Sequence, residues 1–132
     1  MRDYTNLNCL IVDDYTTARR SIKKSLIDLG FNCYEAENGE KAYDLLQQTK
    51  INLVIADVKM PVMNGLKLLE NIRDDDNLKD IPVIITVIEA LESEISEGED
   101  LGMNDYLVKP FDVFSLSKVL DKVITSDSGE SL

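Results

Sequence analysis

The chain has 132 residues, a usual length for one domain with a single hydrophobic core. Apolar residues make up 44%, which excludes a disordered chain, and we expect a cytoplasmic protein because the N-terminus lacks a signal peptide and no apolar run approaches the ~20 residues that span a bilayer. The net charge of −11 argues against direct binding to nucleic acid or anionic membranes, and the absence of histidine removes the commonest general base.

Short apolar runs alternate with helical patterns from residue 9 onward. Residues 9–12 form a continuous apolar run that predicts a strand buried on both faces. Apolar residues then recur at helical spacing up to Gly30, which is typical of a helix C-cap. A second strand is predicted over residues 31–36, and the turn residues Asn38-Gly39 lead into a second helix.

The same alternation continues through the second half of the chain. The apolar run 53–56 predicts a third strand that ends at Asp57, and a helical pattern follows the next loop. Residues 82–87 predict a fourth strand, followed by a very acidic fourth helix. Residues 106–108 predict a fifth strand, and a last helical pattern begins after Lys109-Pro110.

Five repeats of strand then helix predict a single α/β domain. We place it at residues 1–125, with a parallel sheet covered by helices on both faces. The polar tail over residues 126–132 has no periodicity, and we predict that it is disordered.

Charged side chains follow three of the predicted strands directly. Asp13 and Asp14 follow the first strand, Asp57 the third and Lys109 the fifth. Sites in parallel sheets lie at the carboxyl ends of the strands, where these carboxylates would repel one another unless a cation joined them. Mg²⁺ suits such an oxygen cluster, and a lysine suits a phosphoryl oxygen. The pattern therefore favours phosphoryl transfer to a carboxylate.

Three motifs, residues 10–14, 57–65 and 106–111, resemble the signatures of the response-regulator receiver domain family in order and spacing. The resemblance covers about residues 7–125. It implies a flavodoxin-like, doubly wound sheet of five parallel strands in the order 2-1-3-4-5 with five helices. It also implies a phosphoprotein that signals within a two-component system and is not a conventional enzyme.

The resemblance also implies roles for matching residues. Asp57 would be the phospho-acceptor, Asp14 would bind Mg²⁺ directly and Asp13 mainly through water, with the backbone carbonyl of Lys59 as a further ligand. Lys109 would pair with the acceptor or its phosphate and precede a cis proline. Gly65 would begin the third helix.

The partners implied are a sensor histidine kinase or a histidine phosphotransfer protein, since this chain has no histidine of its own. The output partner is unknown, and the family commonly uses the face of the fourth and fifth helices and the fifth strand. The acidic fourth helix is either a solvated face or a docking surface for a basic partner.

The sequence departs from the family at the end of the fourth strand. The family has Thr or Ser where this chain has Val87, and Thr86 lies one residue too early. Because side chains alternate along a strand, we expect Thr86 to point away from the site unless a bulge intervenes. We therefore expect a weakened or altered switch, including the inward rotation that the family shows at the position of Tyr106.

Three residues are expected to control access to Asp57. Ile88 should hinder water and small phosphodonors, which predicts slow self-dephosphorylation. Lys59 and Glu89 flank the same entrance and form either a salt bridge or two separately solvated charges.

Three other functions are weighed against the receiver. A phosphatase of the haloacid-dehalogenase type needs a second Asp two residues after the nucleophile, and Lys59 stands there. A flavodoxin-like cofactor binder needs a phosphate-binding loop where Asp13-Asp14 would repel phosphate. A pseudo-receiver that works only through protein contacts is favoured by Val87 and Ile88, and it stays the main alternative.

Overall fold

The computed structural model of the chain describes residues 4–128. The strands are β1 (Asn8–Val12), β2 (Asn32–Ala36), β3 (Leu53–Asp57), β4 (Val83–Val87) and β5 (Asp105–Val108). The helices are α1 (Thr16–Asp28), α2 (Gly39–Gln48), α3 (Gly65–Asp74), α4 (Glu92–Leu101) and α5 (Val113–Ser128). All five strands pair in parallel in the order β2-β1-β3-β4-β5, which confirms the predicted α/β fold.

The last helix extends beyond the predicted end of the domain. Helix α5 continues to Ser128, so residues 126–128 are helical where a disordered tail was expected. The rest of the predicted tail, 129–132, lies outside the described residues. None of the helices within residues 4–128 has both the length and the hydrophobicity of a membrane-spanning segment.

Two apolar cores cover the two faces of the sheet, because the strands alternate their side chains. On one face, strand residues such as Val54 and Val87 pack with side chains of α2 and α3. On the other face, residues such as Ile55, Ile84 and Leu107 pack against α1 and α5. The alternation therefore assigns a face to each polar residue at the end of a strand.

Candidate functional site

Three carboxylates meet at the carboxyl edge of the sheet. Asp13 and Asp14 follow β1, and Asp57 ends β3, the strand that pairs with β1. One carboxylate oxygen from each of the three residues lies within 4.8 Å of the others. Asp13 and Asp57 are buried whereas Asp14 is exposed. An all-oxygen cluster that opens to solvent on one side fits a hard cation such as Mg²⁺.

Lys109 enters this cluster from β5. Its Nζ lies 2.9 Å from Asp13 Oδ2 and 3.4 Å from Asp57 Oδ2. Burial by itself acts to lower the pKa of Lys109, but the hydrogen bond to Asp13 and the two carboxylate charges outweigh it and raise that pKa. The lysine is therefore a charged group, and it offsets part of the repulsion between the acids.

The surroundings of Asp57 shift the pKa of its carboxyl group. Burial raises the pKa of Asp57, Lys109 opposes the rise, and the charge of Asp13 adds to it. The backbone of Lys59 acts in the opposite direction to burial and lowers the pKa of Asp57 slightly. The role of the Lys59 carbonyl as a metal ligand stays a prediction.

The loop after Asp57 is held close to the sheet. Helix α3 begins at Gly65, as predicted, and Asn64 Oδ1 caps it by accepting from Lys67 N at 2.9 Å. A Cβ atom at Gly65 would lie 2.2 Å from the carbonyl oxygen of Asp57. Glycine is therefore required for this close approach. The predicted cis bond between Lys109 and Pro110 is also present.

Arg19 is a site residue that the sequence did not single out. Its Nη1 donates to the backbone carbonyl of Asp13 at 2.6 Å, and its Nε donates to Glu35 Oε1 at 3.1 Å. Lys23 Nζ also binds Glu35, at 3.2 Å. Arg19 thus ties the acidic loop after β1 to strand β2. No motif marks this contact, because it depends on the pairing of β1 with β2.

Thr86 lies on the same face of the sheet as Asp57, so the expected orientation was wrong. Residue Thr86 is in register with Asp57, and β4 pairs regularly on both sides without a bulge. By alternation from Ile84 and Ile55, both side chains take the face that packs on α1 and α5. Position along β4 alone does not assign this face, because it leaves open which face Asp57 of β3 uses.

Val87 takes the opposite face of β4. It belongs to the core that packs on α2 and α3, and the half-buried Tyr106 of β5 packs against that same core. Val87 and Tyr106 therefore lie on one face, and Thr86 and Lys109 on the other. The altered switch at these residues stays a prediction.

A small pocket of about 130 Å³ opens beside Asp57, and its lining includes Lys59, Ile88 and Glu89. Ile88 is 73% exposed and also lines a larger pocket of about 390 Å³ between α1 and the segment Lys109–Phe111. Among the described residues, Lys59 and Glu89 form no ion pair with each other, so the two solvated charges describe the entrance better than a salt bridge.

The sequence matches a known family model over residues 9–121, that of the response regulator receiver domain. The chain is 44% identical to chemotaxis protein CheY-3 of Vibrio cholerae over 119 residues, which are 89% of this chain and 92% of that protein.

Solved structures agree with this similarity. The chemotaxis response regulator CheY4 of Vibrio cholerae superposes with a TM-score of 0.84 and 31% identity, covering 90% of this chain and 99% of that one. The receiver domain of sensor histidine kinase PA1611 from Pseudomonas aeruginosa, solved with a magnesium ion coordinated in its active site cleft, has a TM-score of 0.82 and 27% identity. The covered shares are 89% of this chain and 97% of that one.

Proposed function

Since the chain belongs to the response regulator receiver domain family, we propose that it is a two-component signalling module that accepts a phosphoryl group on Asp57. The donor would be the phosphohistidine of a sensor histidine kinase or of a histidine phosphotransfer protein. The observation that carries the proposal is the meeting of Asp13, Asp14 and Asp57 with the ammonium of Lys109.

The geometry supports a distinct role for each of these residues in phosphoryl transfer. An oxygen of Asp57 would attack phosphorus while the bond from phosphorus to the donor histidine nitrogen breaks. Lys109 would hold a phosphoryl oxygen as charge builds up on the transferred group. Asp13, Asp14, Asp57 and the Lys59 carbonyl would hold Mg²⁺, which supplies charge neutralisation at the phosphoryl oxygens.

Signalling would follow from altered protein contacts on the face of α4, β5 and α5. Three apolar side chains are exposed on β5 and at the start of α5: Val108, Val113 and Phe114, at 40%, 48% and 67%. Because β5 and α5 contact each other, exposed apolar side chains on both elements support a docking surface there. The proposal retains a cytoplasmic location and no direct contact with nucleic acid.

Phosphotransfer tests the proposal directly. The protein is incubated with Mg²⁺ and radiolabelled histidine kinases or phosphotransfer proteins, together with the variants Asp57→Ala and Asp44→Ala. Asp44 is an exposed carboxylate on α2 and serves as the matched control. We expect label on the wild type and on Asp44→Ala, and none on Asp57→Ala.

Folded wild-type protein that takes no label from any donor and binds no Mg²⁺ would contradict the proposal. That result would favour the pseudo-receiver, which acts only through protein contacts. Label that persists in Asp57→Ala would show that the acceptor is a different residue.

A further inference from the structure

The hydroxyl of Thr86 is a buried polar group without a partner. The residue is 1% exposed, and Oγ1 makes no hydrogen bond to any of the described residues. A buried hydroxyl without a partner costs free energy, because it has given up its hydrogen bonds to water. A valine of nearly the same shape would avoid this cost. Such a group in a native protein calls for an explanation.

Strand order and register place Thr86 on the strand that the side chain of Lys109 crosses. The backbone N–H of Lys109 donates to the carbonyl of Val87 at 2.7 Å, so the lysine starts next to the end of β4. Its ammonium reaches Asp57 on β3 and Asp13 after β1, which lie beyond β4 in the sheet. The lysine side chain therefore crosses β4, and Thr86 is the residue of β4 in register with Asp57.

The Lys109 ammonium should shift away from Asp13 when Asp57 is phosphorylated. It binds Asp13 at 2.9 Å and lies farther from Asp57, at 3.4 Å. A phosphoryl group on Asp57 would draw the lysine away from Asp13 towards β3 and β4. An ammonium has three N–H donors, and withdrawal from Asp13 frees one of them.

We propose that Thr86 is a positioning residue for Lys109, and that its hydroxyl accepts a hydrogen bond from the ammonium once that group withdraws from Asp13. This inference rests on the proposed function. It differs from the family's hydroxyl at the end of the fourth strand, because Thr86 lies on the opposite face of β4 from Val87. Here the hydroxyl acts on the lysine, on the side of the sheet that packs against α1 and α5.

The test uses beryllofluoride with Mg²⁺ as a phosphoryl analogue on the full chain, and measures its affinity by a shift in the urea unfolding midpoint. The variants are Thr86→Val, which removes the hydroxyl and keeps the shape, and Thr86→Ser, which keeps the hydroxyl. Ile84→Val is the control, since Ile84 is fully buried on the same face of the same strand.

We expect Thr86→Val without ligand to be at least as stable as the wild type, because it removes an unpaired hydroxyl. Its affinity for beryllofluoride should fall about tenfold, the effect of losing one hydrogen bond to a charged group. Thr86→Ser should stay within about twofold of the wild type, since it retains that bond. Ile84→Val should lose stability equally with and without ligand, because its cost is a packing cost.

Two results would overturn the inference in distinguishable ways. Wild-type affinity in Thr86→Val would show that the hydroxyl does not position Lys109, and would leave the proposed function intact. Failure of the wild type itself to bind Mg²⁺ and beryllofluoride would reject the proposed function and this inference together.

Discussion

The ammonium of Lys109 binds Asp13 at 2.9 Å, whereas the carboxylate of Asp57 lies 3.4 Å away. Both acids are almost completely buried, so the lysine is their main source of opposing charge in the described chain. The positive charge of Lys109 explains how the folded protein holds these two carboxylates close together before a metal binds. Breaking such a buried pair from one side leaves an uncompensated charge.

We therefore predict that Lys109→Met lowers the free energy of unfolding by about 3 kcal/mol in the absence of divalent cations. Millimolar Mg²⁺ should restore part of this loss, because the metal replaces the missing positive charge. Urea unfolding with and without Mg²⁺ measures both effects. Lys67→Met is the control, since Lys67 forms only an exposed pair with Glu70. An identical loss in both variants would count against this prediction.

Ile88 lines the pocket beside Asp57, and its side chain is 73% exposed. We predict that Ile88→Ala opens the approach for water and shortens the half-life of phospho-Asp57 about fivefold, the equivalent of about 1 kcal/mol in the barrier. Loss of label from the purified phosphoprotein over time measures it. Ile27→Ala, on the exposed surface of α1, should leave the half-life unchanged. A half-life of seconds that is the same in wild type and Ile88→Ala would show that Ile88 does not restrict water.

Val62 adopts a backbone conformation that β-branched residues avoid. Its φ angle is +68°, and the N–H of Met63 donates to the carbonyl of Pro61 across it at 2.8 Å. The side chain is 76% exposed, so no burial compensates for the strain. We predict that Val62→Asn raises the free energy of unfolding by about 1 kcal/mol.

The matched control is Val62→Ile, which keeps the β-branch and should unfold like the wild type. Chemical denaturation of the three proteins at one pH provides the comparison. Equal stability of Val62→Asn and Val62→Ile would mean that the positive φ angle is not strained in this loop.

Glu35 is held ionised by two basic side chains of α1. Burial acts to raise its pKa, but hydrogen bonds from Lys23 and Arg19 outweigh burial and lower that pKa. Because the folded pKa lies below the unfolded value, the stabilisation is present above the unfolded pKa and is lost as pH falls through the folded pKa. We predict that Glu35→Gln costs about 0.5 kcal/mol at pH 7, as expected for a largely surface ion pair.

The same variant should match the wild type at a pH below the folded pKa of Glu35, where the wild-type carboxylate is protonated. Unfolding measured across the acid range tests this pH dependence. A cost that stays constant down to that pH would assign the effect to packing and not to charge.

The local pattern of the sequence was sufficient to locate the strands, the helices and the acidic cluster. Buried parallel strands leave continuous apolar runs, and the residue that follows each run must lie at the carboxyl edge of the sheet. Asp13, Asp57 and Lys109 could therefore be found from their place after a run, and the cis bond and Gly65 followed from the resemblance to a family.

Only the tertiary structure decided which of these residues touch and which share a face. Lys109 reaches Asp13, and Arg19 binds both Glu35 and the carbonyl of Asp13, whereas in the part of the chain that the structure describes Lys59 forms no ion pair with Glu89. These contacts depend on residues far apart in the chain. Strand register determines these contacts, and register depends on which residues of two neighbouring strands lie opposite each other. Thr86 shows this most directly: counting along β4 predicted that it points away, whereas pairing with β3 puts it beside Asp57.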